Sequence, residues 1–228
     1  MRARFEIQLE KLNQGVTEMG ALVEEALEHA IDALVHENRE VAEKNIEFDR
    51  EIDQKMKEIE TLCLKLLLSQ QPVAKDLRLI SAVLKMVSDL ERIGDQCADI
   101  SEIVLTFPAD SEKGLELKYI PLMADATRKM VTESVDAFVK KDLELAKAVC
   151  EYDDVVDDLF DSVRRNLITA IRENMENGEK IIDILMIAKY FERIGDHAVN
   201  VAKWVIFSIT GERNGCGYIG HDEDMKGK

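Results

Sequence analysis

Proline is almost missing from this chain of 228 residues: only Pro72, Pro108 and Pro121 occur. Glycine is sparse as well, and five of its eleven copies fall from Gly211 onward. A chain so poorly punctuated before its last 18 residues cannot be a sandwich or barrel of short strands, which needs a turn every few residues. Aromatic residues are only 5%, with a single tryptophan, Trp204. The four cysteines, Cys63, Cys97, Cys150 and Cys216, never approach a C-x-x-C spacing, so they read as reduced thiols rather than a zinc site or a disulfide framework. Long apolar runs are missing too. The most apolar one, Leu62 to Leu68, is interrupted by Lys65 and is too short to cross a bilayer. With no apolar signal segment at its start either, the chain is expected to be a soluble cytoplasmic protein. Basic charge is the last shortage. Against 46 Asp and Glu stand 30 Lys and Arg, a formal charge of −16. Such a field repels phosphate backbones and anionic lipid, which argues against nucleic-acid binding.

What remains is helix. Hydrophobic residues are 46% of the chain, enough for a sizeable core. Breaks near His36–Asn38, Gln70–Pro72, Phe107–Gly114, Lys140–Asp142 and Asn177–Gly178 mark off six helices, most of 25 to 35 residues. Asn38 and Asp142 suit N-caps, and Pro72 suits a first helical turn. The third helix carries an apolar seam stepping by four and three: Leu79, Val83, Met86, Leu90, Ile93, Cys97, Ile100 and Val104. The sixth repeats it with Ile184, Ile187, Phe191, Ile194, Ala198, Val201 and Val205. The second helix offers Ile52, Met56, Ile59, Cys63 and Leu66; the fifth offers Val156, Phe160, Val163, Leu167 and Ala170. Stripes this long favour antiparallel bundles packed at shallow angles.

The two halves repeat. Asp32-Ala33-Leu34-Val35 matches Asp136-Ala137-Phe138-Val139, and Phe48-Asp49 matches Tyr152-Asp153, both at an offset of 104. Glu91-Arg92-Ile93-Gly94-Asp95 recurs unchanged from Glu192 to Asp196 at an offset of 101, which puts a three-residue difference in the turn before the third helix of each copy. The expected organisation is a three-helix unit over 1–108, a second over 115–210, and a frayed tail over 211–228.

Carboxylates stand at i, i+4 spacing on both copies: Asp49/Asp53 and Glu91/Asp95/Asp99 in the first, Asp153/Asp157 and Glu192/Asp196/Asn200 in the second. Four residues advance a helix by about 40° and 6 Å, so each set projects oxygens from one face. The spacing alone is weak evidence, because roughly nine such pairs arise by chance in so acidic a helical chain. Two observations add to it. The acids recur at matching positions, and Glu91 and Glu192 continue apolar rows formed by Ile80, Leu84 and Val87 and by Ile181, Leu185 and Ala188. Like charges at half-buried positions need compensation. A hard cation could supply it, since oxygen clusters suit such ions; structural salt bridging is the competing reading. Arg92 and Arg193 are the nearest cations in sequence, but as i+1 neighbours they are expected to point about 100° away from Glu91 and Glu192. Gly94 and Gly195 either let helices pack closely or leave room for an approaching ion. His197 is a ligand candidate or a packing histidine. No E-x-x-H pair, Walker loop or G-x-S-x-G elbow is present, which leaves a carboxylate-bridged metal enzyme as a poor alternative.

Two tandem three-helix units, each with Glu-Arg-Ile-Gly-Asp on its third helix, resemble the PhoU family of phosphate-uptake regulators over about residues 1–210. The resemblance implies a non-catalytic cytoplasmic adaptor, often a homodimer. It would couple a phosphate ABC transporter, on its ATPase side, to a sensor histidine kinase and act as negative regulator of the phosphate regulon. It also implies metal on the carboxylate faces, at Asp49, Asp53, Glu91, Asp95, Asp99, Asp153, Asp157, Glu192, Asp196 and Asn200. Iron is the expected ion, with zinc, manganese, magnesium and calcium as the other candidates. Many family members have Asn in both copies where the first copy here has Asp99.

Overall fold

The computed structural model describes residues 2–69, 72–107, 118–173 and 178–212. They form six α-helices and, among the described residues, no strand: α1 (Arg2–His36), α2 (Arg39–Ser69), α3 (Ala74–Thr106), α4 (Ile120–Lys140), α5 (Leu143–Glu173) and α6 (Gly178–Thr210). No helix among the described residues is long and apolar enough to cross a membrane. α1, α2 and α3 pack on one another, as do α4, α5 and α6, giving two tandem three-helix bundles. The bundles meet through α3 on α6 and α1 on α4.

The heptad seams do what their spacing predicts. From Val83 to Val104 every seam position of α3 is buried, and so is every one in α6 from Ile184 to Val205. Met56 and Phe160 are half-buried and pack at the edge of the core. Burying each large apolar side chain stabilises the fold by about 1.5–3 kcal/mol, so these stripes dominate the packing energy.

Both inter-helix turns of the first type are the same turn. Glu37 and Lys141 take left-handed φ values of 50° and 52° without being glycine. The amides of Asn38 and Asp142 then donate to Ala33 and Ala137 carbonyls, each at 2.9 Å. The next helix is capped as anticipated. Asn38 Oδ1 accepts from the Val41 amide at 3.3 Å, and Asp142 Oδ1 from Glu144 and Leu145 at 3.1 and 3.0 Å. Pro72 does not sit in a first turn: it precedes Val73, the N-cap of α3. Pro121 takes that role instead, as the second residue of α4. α4, at 21 residues, is shorter than the other helices. The loop at 108–114, the three-residue difference at 174–177 and the tail from 213 lie outside the described residues. Cys63 and Cys97 are free and buried, whereas Cys150 is disulfide-bonded, which corrects the expectation of four reduced thiols.

One buried polar contact ties the first bundle together. Asn45 of α2 donates from Nδ2 to the Ala26 carbonyl of α1 at 3.0 Å and to Ser101 Oγ of α3 at 2.9 Å. The positions that correspond in the second bundle hold Val149 and Ala202. Between the bundles, Gly20 of α1 lies so close to Val135 of α4 that an added Cβ would stand 2.5 Å from Val135 Cγ1. A valine cannot rotate out of the way easily. Gly20→Ala should therefore lower the unfolding free energy, read from denaturant titration, by up to about 2 kcal/mol, because overpacking outweighs the gain of about 1 kcal/mol in helix propensity.

Candidate functional site

The two acid sets lie where α2 meets α3 and where α5 meets α6. Gly94 is what lets the first pair of helices close. A Cβ there would be 2.8 Å from Ile52 Cδ1 and 3.3 Å from Asp49 Oδ1, so the Asp49 carboxylate rests against bare backbone. Gly195 has the same partners in looser contact, with Val156 Cγ1 at 3.5 Å and Asp153 Oδ1 at 3.6 Å. Close packing thus accounts for the glycine in the first motif. It places the acid at the same time.

Asp49 is the most constrained member of its set. Its Oδ1 is buried without a hydrogen-bond partner. Burial first, then the charges of Asp95, Asp53 and Asp99, push its carboxyl up to about 6. Glu91 is raised by burial and by Asp95, against a downward pull from Arg92. Arg92 does not point away as its sequence position suggested. Its long side chain folds back, with Nη1 at 2.8 Å from Asp95 Oδ2 and Nε at 3.5 Å from Glu91 Oε2. That guanidinium is 59% exposed, so its compensation is screened. Among the described residues, Asp53 is bridged by Lys57 of its own helix alone, at 3.3 Å.

The second set follows the same plan with a different counter-ion. Burial, then Asp157 and Asp196, push Asp153 up to about 6, and Lys203 opposes them. Asp157 and Asp196 are both raised, by burial first and then by Glu192. Lys189 lies 2.6 Å from Glu192 and 5.5 Å from the centre of the Phe160 ring. It lowers both aspartates in turn.

The third position of each set behaves differently. Asn200 is exposed and turns to the other bundle, donating from Nδ2 to Asp89 Oδ1 at 3.3 Å. His197 Nδ1 meets the same oxygen at 2.9 Å. Asp99 accepts a hydrogen bond from Tyr190 of α6 and is pulled down by Arg193, although burial, Glu102 and Asp95 raise it overall. Asp99 and Asn200 correspond at the offset of 101, and so do Asp89 and Tyr190. The two cross-bundle contacts are therefore copies of one another across a pseudo-twofold. Arg193 and His197 belong to this seam. Sequence reasoning missed Asp89, Tyr190 and Lys189 because nothing local marks a residue whose partner is on another helix.

The structure thus brings together Asp49, Asp53, Glu91, Asp95 and Asp99, and separately Asp153, Asp157, Glu192 and Asp196. Among the described residues, no group of three or more His, Cys, Asp or Glu converges so as to hold one ion. The donors are oxygen only, which suits hard cations, and the unpartnered Asp49 oxygen is a free donor.

A family model, PhoU domain, matches the chain twice, over residues 16–104 and 120–205. The chain belongs to the PhoU family. A PhoU homologue of Clostridium acetobutylicum, named a phosphate-specific transport system accessory protein, is 35% identical over 213 residues, 93% of this chain and 97% of that one. The crystal structure of PhoU from Pseudomonas aeruginosa superposes with a TM-score of 0.87 at 33% identity, covering 91% of this chain and all of the other. A phosphate transport system regulatory protein PhoU from Streptococcus pneumoniae gives 0.84 at 28% identity, with 91% and 98% covered. These PhoU relatives are named for an accessory or regulatory role and not for a reaction.

Carboxyls whose folded pKa is raised bind protons more tightly folded than unfolded. Stability from this source is present at low pH and is lost as pH rises from about 4 through about 6, the folded value of Asp49 and Asp153. In chelated, metal-free protein, Asp49→Asn and Asp153→Asn should each raise the thermal midpoint at pH 7.5, above the folded value of about 6, where both carboxyls are ionised. The gain should shrink as the pH is brought down toward 4. Calorimetry at both pH values checks this, and an equal gain at both would contradict it.

Proposed function

We propose that this protein is a phosphate-transport accessory adaptor. In this reading it docks from the cytoplasm on the ATPase side of a phosphate ABC transporter and couples it to a sensor histidine kinase. It thereby holds down the phosphate-starvation response when phosphate is plentiful, and it works as a homodimer. The family and the names of its relatives support the transport part. The observation that supports the docking part is the pair of acid faces, each with carboxyls raised by burial first and by one another second, and only partly neutralised. A rigid bundle with two such faces can meet two basic surfaces, and electrostatic complementarity speeds and orients such encounters. Binding to the transporter in nanodiscs should weaken steeply between low and physiological salt. Affinity indifferent to salt, or unchanged by Asp49→Asn together with Asp153→Asn, would remove the acid faces from the interface.

Metal ions, with iron first, are the proposed occupants of both faces. Asp49, Asp53, Glu91 and Asp95 would hold them on one side, and Asp153, Asp157, Glu192 and Asp196 on the other. A bound cation would supply the positive charge these faces lack. Asp99 and Asn200 contribute less to this set, since each is spent on the cross-bundle seam. Protein purified without chelator or affinity metal should carry stoichiometric metal by elemental analysis, and the Asp95→Asn/Asp196→Asn variant should lose it. Retention of metal in the variant would show that the ions sit elsewhere. Absence of metal from both would leave the faces as protein-docking surfaces.

A further inference from the structure

The word Glu-Arg-Ile-Gly-Asp is the same in both copies, yet its two glycines stand in different surroundings. At Gly94 an added Cβ would meet Ile52 Cδ1 at 2.8 Å and Ile52 Cγ2 at 3.3 Å. Ile52 is fully buried, so it would have to shift within a packed core. In the second copy Val156 takes the place of Ile52 and lacks the Cδ1 carbon. The nearest atoms to a Cβ added at Gly195 are Val156 Cγ1 at 3.5 Å, Asp153 Oδ1 at 3.6 Å and Met130 Sδ at 3.7 Å. All three are ordinary contact distances. An alanine fits at 195 without moving anything.

Packing therefore explains the glycine in the first copy and leaves it unexplained in the second. Gly195 is buried well inside α6, where glycine is less favourable than alanine. A methyl group at this place would do one thing besides stabilise the helix: it would lie against Asp153 Oδ1. A hard cation has to come within about 2.0–2.6 Å of a carboxylate oxygen, and the waters it keeps need room around it. A carbon atom in contact with that oxygen closes one direction of approach. Asp153 faces Asp157 and Asp196, whose charges it feels, so the direction in question leads into the acid face.

We infer that Gly195 is a positioning residue of the second acid face, whose bare backbone keeps Asp153 Oδ1 open to a partly hydrated hard cation. Gly94 has a different duty, which is to admit Ile52 between α2 and α3. One five-residue word thus carries two functions, and the difference is set by a single carbon on the helix opposite. The inference rests on the metal reading given above and specifies how one of the two faces receives its ion.

Two readouts on the full chain test it, with manganese(II) alone as the probe. In chelated protein Gly195→Ala should raise the thermal midpoint by about 2–4 °C, the gain expected from helix propensity. Gly94→Ala, which displaces Ile52, should show no such gain. Manganese affinity is then measured by equilibrium dialysis in an Asp49→Asn/Asp95→Asn background, where the first face is disabled. There Gly195→Ala should weaken binding about tenfold, as changes just outside a metal's ligands do. A more stable protein with lower affinity is the result expected, since a merely structural glycine would not move the two in opposite senses. A higher midpoint with unchanged affinity would overturn the inference, and so would a lower midpoint, which would make Gly195 a packing residue. Binding by wild type but not by the background protein would overturn it as well, by leaving the second face without an ion. No binding by wild type would instead remove the metal reading itself, and this inference with it.

Discussion

α3 and α6 lie antiparallel along one seam, with Asp89 opposite His197 and Asn200, and Asp99 opposite Tyr190. This contact is the constraint on which the rest of the architecture rests. It is apolar at its centre, where both heptad stripes are buried, and polar at its two pseudo-equivalent margins. Because α2 is fixed to α3 and α5 to α6, the seam also fixes how the two acid faces are disposed. A change in the crossing of these two helices would move both faces together. Each bundle is a support for its own face, and the seam makes them one object.

The faces themselves work against the fold. Burial raises the carboxyls of these half-buried surfaces, and their repulsion of one another raises them further. The chain meets this with unlike means on the two sides: an exposed guanidinium, Arg92, on the first, and Lys189 clamped on Glu192 beside the Phe160 ring on the second. Arginine keeps its charge and fork geometry, while lysine is a compact point charge. The two faces are therefore alike in their acids and unlike in their counter-ions.

Much of this was legible in the sequence, and the reasons are physical. Seam residues such as Met86, Leu90 and Phe191 recur at a spacing only a helix satisfies. The caps Asn38 and Asp142 sit where the pattern breaks, and the repeat shows in five shared residues. Local rules also placed Asp49 and Glu91 beside apolar rows, and these are half-buried as expected. The errors came where a side chain outruns its Cβ vector or finds a distant partner. Arg92 is long enough to fold back on Asp95, and Asn200 is captured by Asp89 of the other bundle. Pro72 was misplaced by two residues because proline is tolerated before a helix cap as readily as inside the first turn.

Asn45 has a bearing on how such a chain avoids misassembly. Two bundles of common design invite helices to exchange between them, or between neighbouring molecules, because the apolar stripes are nearly interchangeable. The amide of Asn45 breaks that equivalence. Beside α1 and α3 it finds the Ala26 carbonyl and the Ser101 hydroxyl. Beside α4 and α6 the hydroxyl would be replaced by the methyl group of Ala202, leaving a buried amide short of a partner at a cost of about 1–3 kcal/mol. A single polar side chain thus labels α2 as belonging to the first bundle, and an otherwise swappable duplicate acquires one correct assembly.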